Sequence, residues 1–271
     1  MSYERQAWWV TGASSGIGAA VARELGRRGA RVILSGRDEA RLADVAEDIA
    51  TETLALPFDV RDYQAMLAAT ENAINWSRGI DGFVANAGIS QRSRATKTAM
   101  QVYRDIIEID LTAQIAATQA LLPHLTGRGS GTLVFISSIA GKAGVPMRTG
   151  YCAAKFGLAG YADALRAELS MDGIDVHVIY PGSVATNVSR NALTADGSER
   201  GRSDSIIDNG IPADEAAGTM LDAVDAGERE IIIAEGIERV IGEARRTPDQ
   251  LFDQIAELMA GNYMDMMEAD D

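Results

Sequence analysis

Three polar residues in this chain are spaced for proton chemistry: Ser138, Tyr151 thirteen positions on, and Lys155 four beyond that. Residues four apart on a helix share a face, so the Lys155 ammonium can sit near the Tyr151 hydroxyl. A free tyrosine has a pKa near ~10, too high for an efficient base at neutral pH, and a nearby ammonium favours the ionised form. In the opposite direction the same hydroxyl can donate its proton to a substrate oxygen while Ser138 hydrogen-bonds that oxygen. Such a pair also occurs on plain helix surfaces, so its meaning depends on what accompanies it.

What accompanies it is a glycine-rich turn, Thr11-Gly12-Ala13-Ser14-Ser15-Gly16-Ile17-Gly18, far upstream. Gly12, Gly16 and Gly18 let the backbone turn sharply and approach a pyrophosphate. The helix that follows offers free N–H groups and a positive dipole end, to which Ser14 and Ser15 add hydroxyls. The spacing is G-x-x-x-G-x-G rather than G-x-G-x-x-G, and alone it is equally a tight turn without a ligand. Turn and triad together predict a nicotinamide-dependent oxidoreductase.

The elements that must hold these groups follow an α/β alternation, in which short apolar runs lead into segments of helical period, the pattern of a parallel sheet. Predicted strands are Ala7 to Val10, Arg31 to Ser35, Thr53 to Phe58, Asp81 to Ala85, Thr132 to Ile136, Asp175 to Tyr180 and Glu230 to Ala234. Helices are expected after each turn, one with Gly29 behind its C-terminus, one capped by Asp38, one from Tyr63 to Trp76, a long one from Thr98 to Leu125, and one opened by Tyr151. In open α/β sheets ligands bind beyond the carboxyl ends of the strands, which is where the motifs fall. The polar stretch from 187 to 212 reads as a mobile loop, either a substrate lid or a plain surface loop. Residues 1–246 thus form one catalytic domain, and 247–271 a C-terminal helix (Leu251, Ile255, Leu258, Met259) with an acidic tail.

The cofactor type is decided after the second strand, where a carboxylate would favour a ribose 2′-hydroxyl and an arginine a 2′-phosphate. The sequence there is Ser35-Gly36-Arg37-Asp38, and Asp38 is wanted as a helix cap. Arg37 therefore favours NADP(H); the alternative turns Asp38 to the ribose and gives NAD(H).

Composition narrows the partners. With 271 residues, 46% hydrophobic and 24% charged, the chain is expected to be globular and ordered, and its net charge of −14 disfavours nucleic acid. Its single cysteine, Cys152, and two histidines, His124 and His177, supply neither a disulfide nor a metal cluster. All three are read as structural residues. No secretory signal and no apolar run of ~20 residues are seen, so a cytoplasmic protein away from membranes is expected. Arg92, Arg94, Lys97, Lys142 and Arg148 lie in segments near the expected mouth, where they either attract an anionic substrate or are solvated loop charges.

In order and spacing, the glycine turn, Asn86-Ala87-Gly88, Ser138, Tyr151-x-x-x-Lys155 and the stretch Pro181-Gly182-Ser183-Val184-Ala185-Thr186 resemble the short-chain dehydrogenase/reductase family over roughly residues 5 to 235. The resemblance implies a single doubly wound Rossmann domain in which Tyr151 is the acid/base, Lys155 holds the nicotinamide ribose, and Ser138 orients the substrate. It further implies that Asp59 and Val60 flank adenine, that Ile17 and 86–88 line the cofactor cleft, and that Pro181, Gly182, Val184 and Thr186 close on the carboxamide end. A ketone or aldehyde interconverted with an alcohol would be the small-molecule substrate, and a homodimer or homotetramer the assembly. One position departs from the pattern: the family usually carries asparagine in its long fourth helix, where this chain has Asp110. An aspartate accepts like the amide but does not donate unless protonated, and it can pair with Lys155. The competing reading of the whole chain is a catalytically inactive dinucleotide-binding or redox-sensing protein of the same fold.

Overall fold

The computed structural model describes residues 3–260, and within them each predicted strand is present with its ends shifted by at most a residue or two. The chain runs through β1 (Ala7–Thr11), α1 (Gly16–Arg27), β2 (Arg31–Gly36), α2 (Glu39–Glu47), β3 (Thr53–Pro57), α3 (Tyr63–Ser77) and β4 (Gly82–Ala85). It continues with α4 (Met100–Ile107), α5 (Ala113–Arg128), β5 (Gly131–Ile136), α6 (Thr149–Glu168) and β6 (Ile174–Pro181). The last third holds β7 (Val184–Ala185), α7 (Ser205–Asp208), β8 (Ile211–Pro212), α8 (Ala213–Asp225), β9 (Glu230–Ile233), α9 (Gly236–Ala244) and α10 (Asp249–Ala260). Seven strands make one parallel sheet in the order β3-β2-β1-β4-β5-β6-β9, the doubly wound arrangement whose order reverses beside β1.

Helices cover both faces because successive strand residues point to opposite sides and both sides are apolar. Trp8, Val10, Val32 and Leu34 meet α1, α2 and α8 on one face, through Leu25, Leu42, Met220 and Leu221. Trp9, Ile33, Phe83 and Phe135 meet α3, α5 and α6 on the other, through Met66, Leu121, Leu125 and Leu158. Asp38 caps α2 as expected, its side chain accepting from the Arg41 N–H at 3.1 Å.

The structure adds to these expectations and corrects one of them. The helix expected from Thr98 to Leu125 is two α-helices joined by a π-helical segment, Glu108–Thr112. This wider turn carries Asp110, which is fully buried. The stretch at 187–212, read as a loop, contains regular elements. Leu193 exchanges backbone hydrogen bonds with Ser90 and Arg92, β7 pairs with β8, and α7 forms inside the segment. Helices α8 and α9 were not foreseen, although Ala216, Ala217, Met220, Leu221 and Val224 of α8 make a buried stripe. The C-terminal helix is present as α10, with Phe252 buried; the acidic tail, and the side chains of Leu258 and Met259, lie outside the described residues.

Candidate active site

A cleft of about 410 Å³ opens at the carboxyl ends of the strands and collects nearly every residue expected in the site. Gly12, Ser14, Ser15, Gly16 and Ile17 line one end, with Arg37, Asp59 and Val60 nearby; Asn86, Ala87 and Gly88 form a wall; Ser138, Tyr151, Lys155 and Asp110 line the other end, opposite Pro181, Gly182, Val184 and Thr186. Gly18 alone does not line it.

The glycine turn is shaped by what surrounds it. Gly12 and Gly16 sit at φ +65° and +56°, where a side chain is strained. A Cβ on Gly18 would fall 2.3 Å from the Gly12 carbonyl oxygen and 2.4 Å from Asn86 Nδ2, so this glycine permits close packing beneath the turn and makes no wall. Asn86 Nδ2 donates to the carbonyls of Thr11 (2.9 Å) and Gly12 (3.3 Å), while Thr11 Oγ1 accepts from the Asn86 and Ala87 amides. The β4 turn thereby fastens the β1 turn. No side chain caps the first turn of α1, whose N-cap Ser15 is extended, so that turn has N–H groups to offer an anion. The missing Cβ atoms and the free helix end fit a dinucleotide's pyrophosphate.

Farther along, Arg37 is exposed at the cleft, whereas Asp38 is committed to its cap and an ion pair with Arg41 at 3.3 Å. Asp59 is held bidentately by Arg61, at 2.6 and 3.0 Å, and that guanidinium lowers its carboxyl below the usual range. Arg61 itself lines the cleft and was not anticipated, because only the β3 turn brings it there.

At the catalytic end, β5 delivers Ser137 and Ser138 as it stops. Ser138 Oγ accepts from the Ala140 amide at 3.1 Å and donates to the Pro181 carbonyl at 3.3 Å; Ser137 Oγ donates to the Lys155 carbonyl at 2.9 Å. Tyr151 is the third residue of α6 rather than its first. Lys155 Nζ lies 3.0 Å from the Ile136 carbonyl, 3.4 Å from Asp110 Oδ2 and 5.6 Å from the centre of the Tyr151 ring. Asp110 Oδ1 accepts from the Ile89 N–H at 2.7 Å, while Oδ2 has no hydrogen-bond partner among the described residues. Burial raises the Asp110 carboxyl above its ordinary pKa, against the pull of Lys155 and the Ile89 amide. Gly88 leaves the room for this pair, since a Cβ there would stand 3.3 Å from Asp110 and 3.4 Å from Lys155.

Two supporting residues escaped sequence reasoning because their role depends on distant contacts. Gln91, fully buried, accepts from the Gly150 amide at 2.8 Å and so ties the start of α6 to the loop after β4. Glu238 of α9 accepts from the Ser183 amide (2.7 Å) and hydroxyl (3.1 Å), holding the turn after β6. Of the five cations considered for an anionic substrate, two are already neutralised. Lys142 is buried on Glu230 at 2.8 Å, and Arg92 on Asp204 at 2.8 Å. Cys152 is a packed residue, its sulfur accepting from the Val145 amide.

Comparison with known proteins agrees with this geometry. The sequence matches the family described as short chain dehydrogenase over residues 6–197. It is 36% identical over 234 residues to a dehydrogenase/reductase SDR family member 7B of Danio rerio, covering 83% of this chain and 76% of that protein. A short-chain dehydrogenase from Streptomyces avermitilis superposes with a TM-score of 0.79 at 26% identity, covering 98% of both chains. The alcohol dehydrogenase of Thermococcus sibiricus, solved with 5-hydroxy-NADP, shares the fold at a TM-score of 0.73 and 21% identity, covering 84% of this chain and 96% of that one.

Proposed function

Since the chain belongs to the short-chain dehydrogenase/reductase family, an oxidoreductase family that binds a nicotinamide nucleotide, we propose that it is an NADP(H)-dependent enzyme interconverting a ketone or aldehyde with an alcohol. The observation that carries this is the convergence of Tyr151, Lys155 and Ser138 at one end of a cleft whose other end is the glycine turn. A bound nicotinamide supplies or accepts the hydride. Everything else falls to the chain's own residues. Gly12 to Ile17 receive the pyrophosphate, and Thr186, with the turn that Glu238 holds, receives the carboxamide. Ser138 orients the substrate oxygen. Tyr151 gives that oxygen its proton in reduction and takes it back in oxidation, a contribution of about 10²- to 10⁴-fold to the rate. Lys155 holds its charge beside the tyrosine, fixed by Ile136 and Asp110.

The preference for NADP(H) rests on Arg37, exposed at the cleft, while Asp38 is engaged as a cap. Arg37→Ser should weaken NADPH binding about 10- to 100-fold, the worth of a charged hydrogen-bonded contact, and leave NADH nearly as it was. Equal loss for both cofactors would argue against Arg37 as the 2′-phosphate ligand.

The first experiment follows NADPH or NADH absorbance with a panel of ketones, aldehydes and quinones against a Tyr151→Phe control. Turnover that the control lacks supports the reductase; cofactor binding without turnover across the panel moves the reading to a dinucleotide-binding protein.

A further inference from the structure

We propose that Gln91 is a positioning residue for Tyr151, capping the first turn of α6 from outside the helix; this rests on the reading of Tyr151 as the acid/base and adds the group that orients it. Helix α6 opens without a cap of its own. Arg148 stands at the N-cap position, its side chain makes no capping hydrogen bond, and the first turn has no acidic residue. An N-cap side chain ordinarily accepts from the second or third amide of its helix. In α6 Gly150 carries the second of those amides and Tyr151 the third. The acceptor for Gly150 is Gln91 Oε1, at 2.8 Å and from 59 positions away. The Gln91 amide has one orientation. An N–H only donates, so Oε1 faces Gly150, and Nε2 donates to Ser93 Oγ at 3.1 Å and Thr98 Oγ1 at 3.2 Å. Gln91 is fully buried, and Gly150 admits its close approach: a Cβ at 150 would stand 3.2 Å from Oε1 and 3.0 Å from the Tyr103 ring.

The same short segment supports Lys155. Two residues before Gln91, the Ile89 amide donates to Asp110 Oδ1 at 2.7 Å, and Asp110 Oδ2 lies 3.4 Å from Lys155 Nζ. On either side of Gln91, the Ser90 carbonyl accepts from the Leu193 amide at 2.8 Å and the Arg92 amide donates to the Leu193 carbonyl at 2.9 Å. Leu193 lines the cleft. Residues 89–92 therefore fix the turn bearing Tyr151, the counter-charge of Lys155 and one wall of the cleft relative to one another. Lys155, a turn farther along α6, has its own anchors: its ammonium donates to the Ile136 carbonyl and its carbonyl accepts from Ser137. Loss of the Gln91 oxygen releases the end of α6 that carries the tyrosine and leaves the end that carries the lysine. A first turn whose amides lack acceptors is the part of a helix that loosens, and a misplacement of about 1 Å costs on the order of 100-fold in rate.

The test compares Gln91→Met, of similar length but without an oxygen, with Gln91→Glu, which keeps an acceptor for Gly150 and can accept from the Ser93 and Thr98 hydroxyls. With the ketone or aldehyde that the substrate panel identifies, Gln91→Met should lower kcat about 10- to 100-fold. KM, and the affinity for NADPH read by cofactor fluorescence, should change little. Gln91→Glu should recover most of kcat. In a Tyr151→Phe background Gln91→Met should cost nothing further, because a residue that acts through the hydroxyl has no route left once the hydroxyl is gone. A general loosening of the fold would add to that defect. Native kcat in Gln91→Met, or an equal loss with and without the Tyr151 hydroxyl, overturns the proposal while leaving the oxidoreductase reading intact. If NADPH binds but no compound is reduced, that reading fails separately, and hydrogen exchange decides the cap. Amides of residues 149–152 should then exchange about 5- to 10-fold faster in Gln91→Met than in the native protein or Gln91→Glu, with the rest of α6 unchanged. Unchanged exchange, or an increase spread evenly along α6, overturns the cap.

Discussion

Asp110 is the residue whose chemistry departs most from what its neighbours would lead one to expect. A fully buried carboxylate with one oxygen unpartnered is tolerable only because Lys155 lies 3.4 Å away, and the burial still raises its pKa. A carboxyl whose folded pKa is raised binds its proton more readily in the fold than in the unfolded chain. Its contribution to stability is therefore complete below the unfolded value and is lost as pH rises through the folded one. Asparagine at this position does not titrate. The stability of Asp110→Asn relative to the native protein should accordingly improve between pH 4 and 7 in urea titrations; a trend of opposite sign would mean that the attraction of Lys155 outweighs burial. Asp110→Leu should cost about 3–5 kcal/mol, since it leaves the buried Lys155 ammonium without its counter-charge.

At the scale of elements, the site is built by turns that hold one another. The β4 turn fastens the glycine turn through Asn86 and Thr11, and the loop after β4 fastens the start of α6 through Gln91. Gly18→Ala places a methyl 2.3 Å from the Gly12 carbonyl, so the turn must open or α1 must shift. We expect this variant to lose cofactor binding by more than about 10-fold while retaining its circular dichroism spectrum, because overpacking of this kind costs about 1–3 kcal/mol and falls on the turn. Unchanged affinity for NADPH would show that the turn is not the cofactor's seat. The π-helical segment belongs to this scale too. Nothing in the residues from Thr98 to Leu125 marked where the wider turn would fall, and it is this segment that carries Asp110 to Lys155 and Gly88.

For the whole molecule, pH also acts through two imidazoles, one buried (His177) and one half-buried (His124). His177 is buried in the sheet with Nδ1 on the Glu228 carbonyl at 2.7 Å, and His124 Nε2 accepts from the Ile80 amide, so the fold holds that ring neutral. Burial lowers both pKa values. For groups lowered in the fold, the unfolded chain takes up protons first, and the stability they contribute above pH 6.5 is lost as pH falls below it. Thermal unfolding at pH 7 and 5 should show this fall, with a shallower slope in His177→Gln; an identical slope would count against it. Assembly is the other property at this scale. Along α6, Ala153, Phe156 and Gly160 are exposed, and a Cβ on Gly160 would meet nothing. Two copies of this helix can therefore approach closely, and light scattering is expected to give twice or four times the 28.8 kDa chain, reduced to one copy by Phe156→Asp.

The strands, the glycine turn, the Asp38 cap and the triad Ser138, Tyr151 and Lys155 were legible in the residues alone, because each depends on local period, local backbone freedom or fixed spacing along one helix. The doubly wound fold was legible for the same reason, with the resemblance of the separated motifs supplying its name. Tertiary structure decided the rest. It made Gly18 a packing residue and spent Arg92 on Asp204 and Lys142 on the buried Glu230. It also tied the stretch at 187–212 to the loop after β4 and brought Gln91 and Glu238 to the site. Whether a charge is free or neutralised depends on partners far away in the chain, 112 positions for Arg92 and Asp204 and 197 for Arg28 and Asp225. No local pattern carries that information.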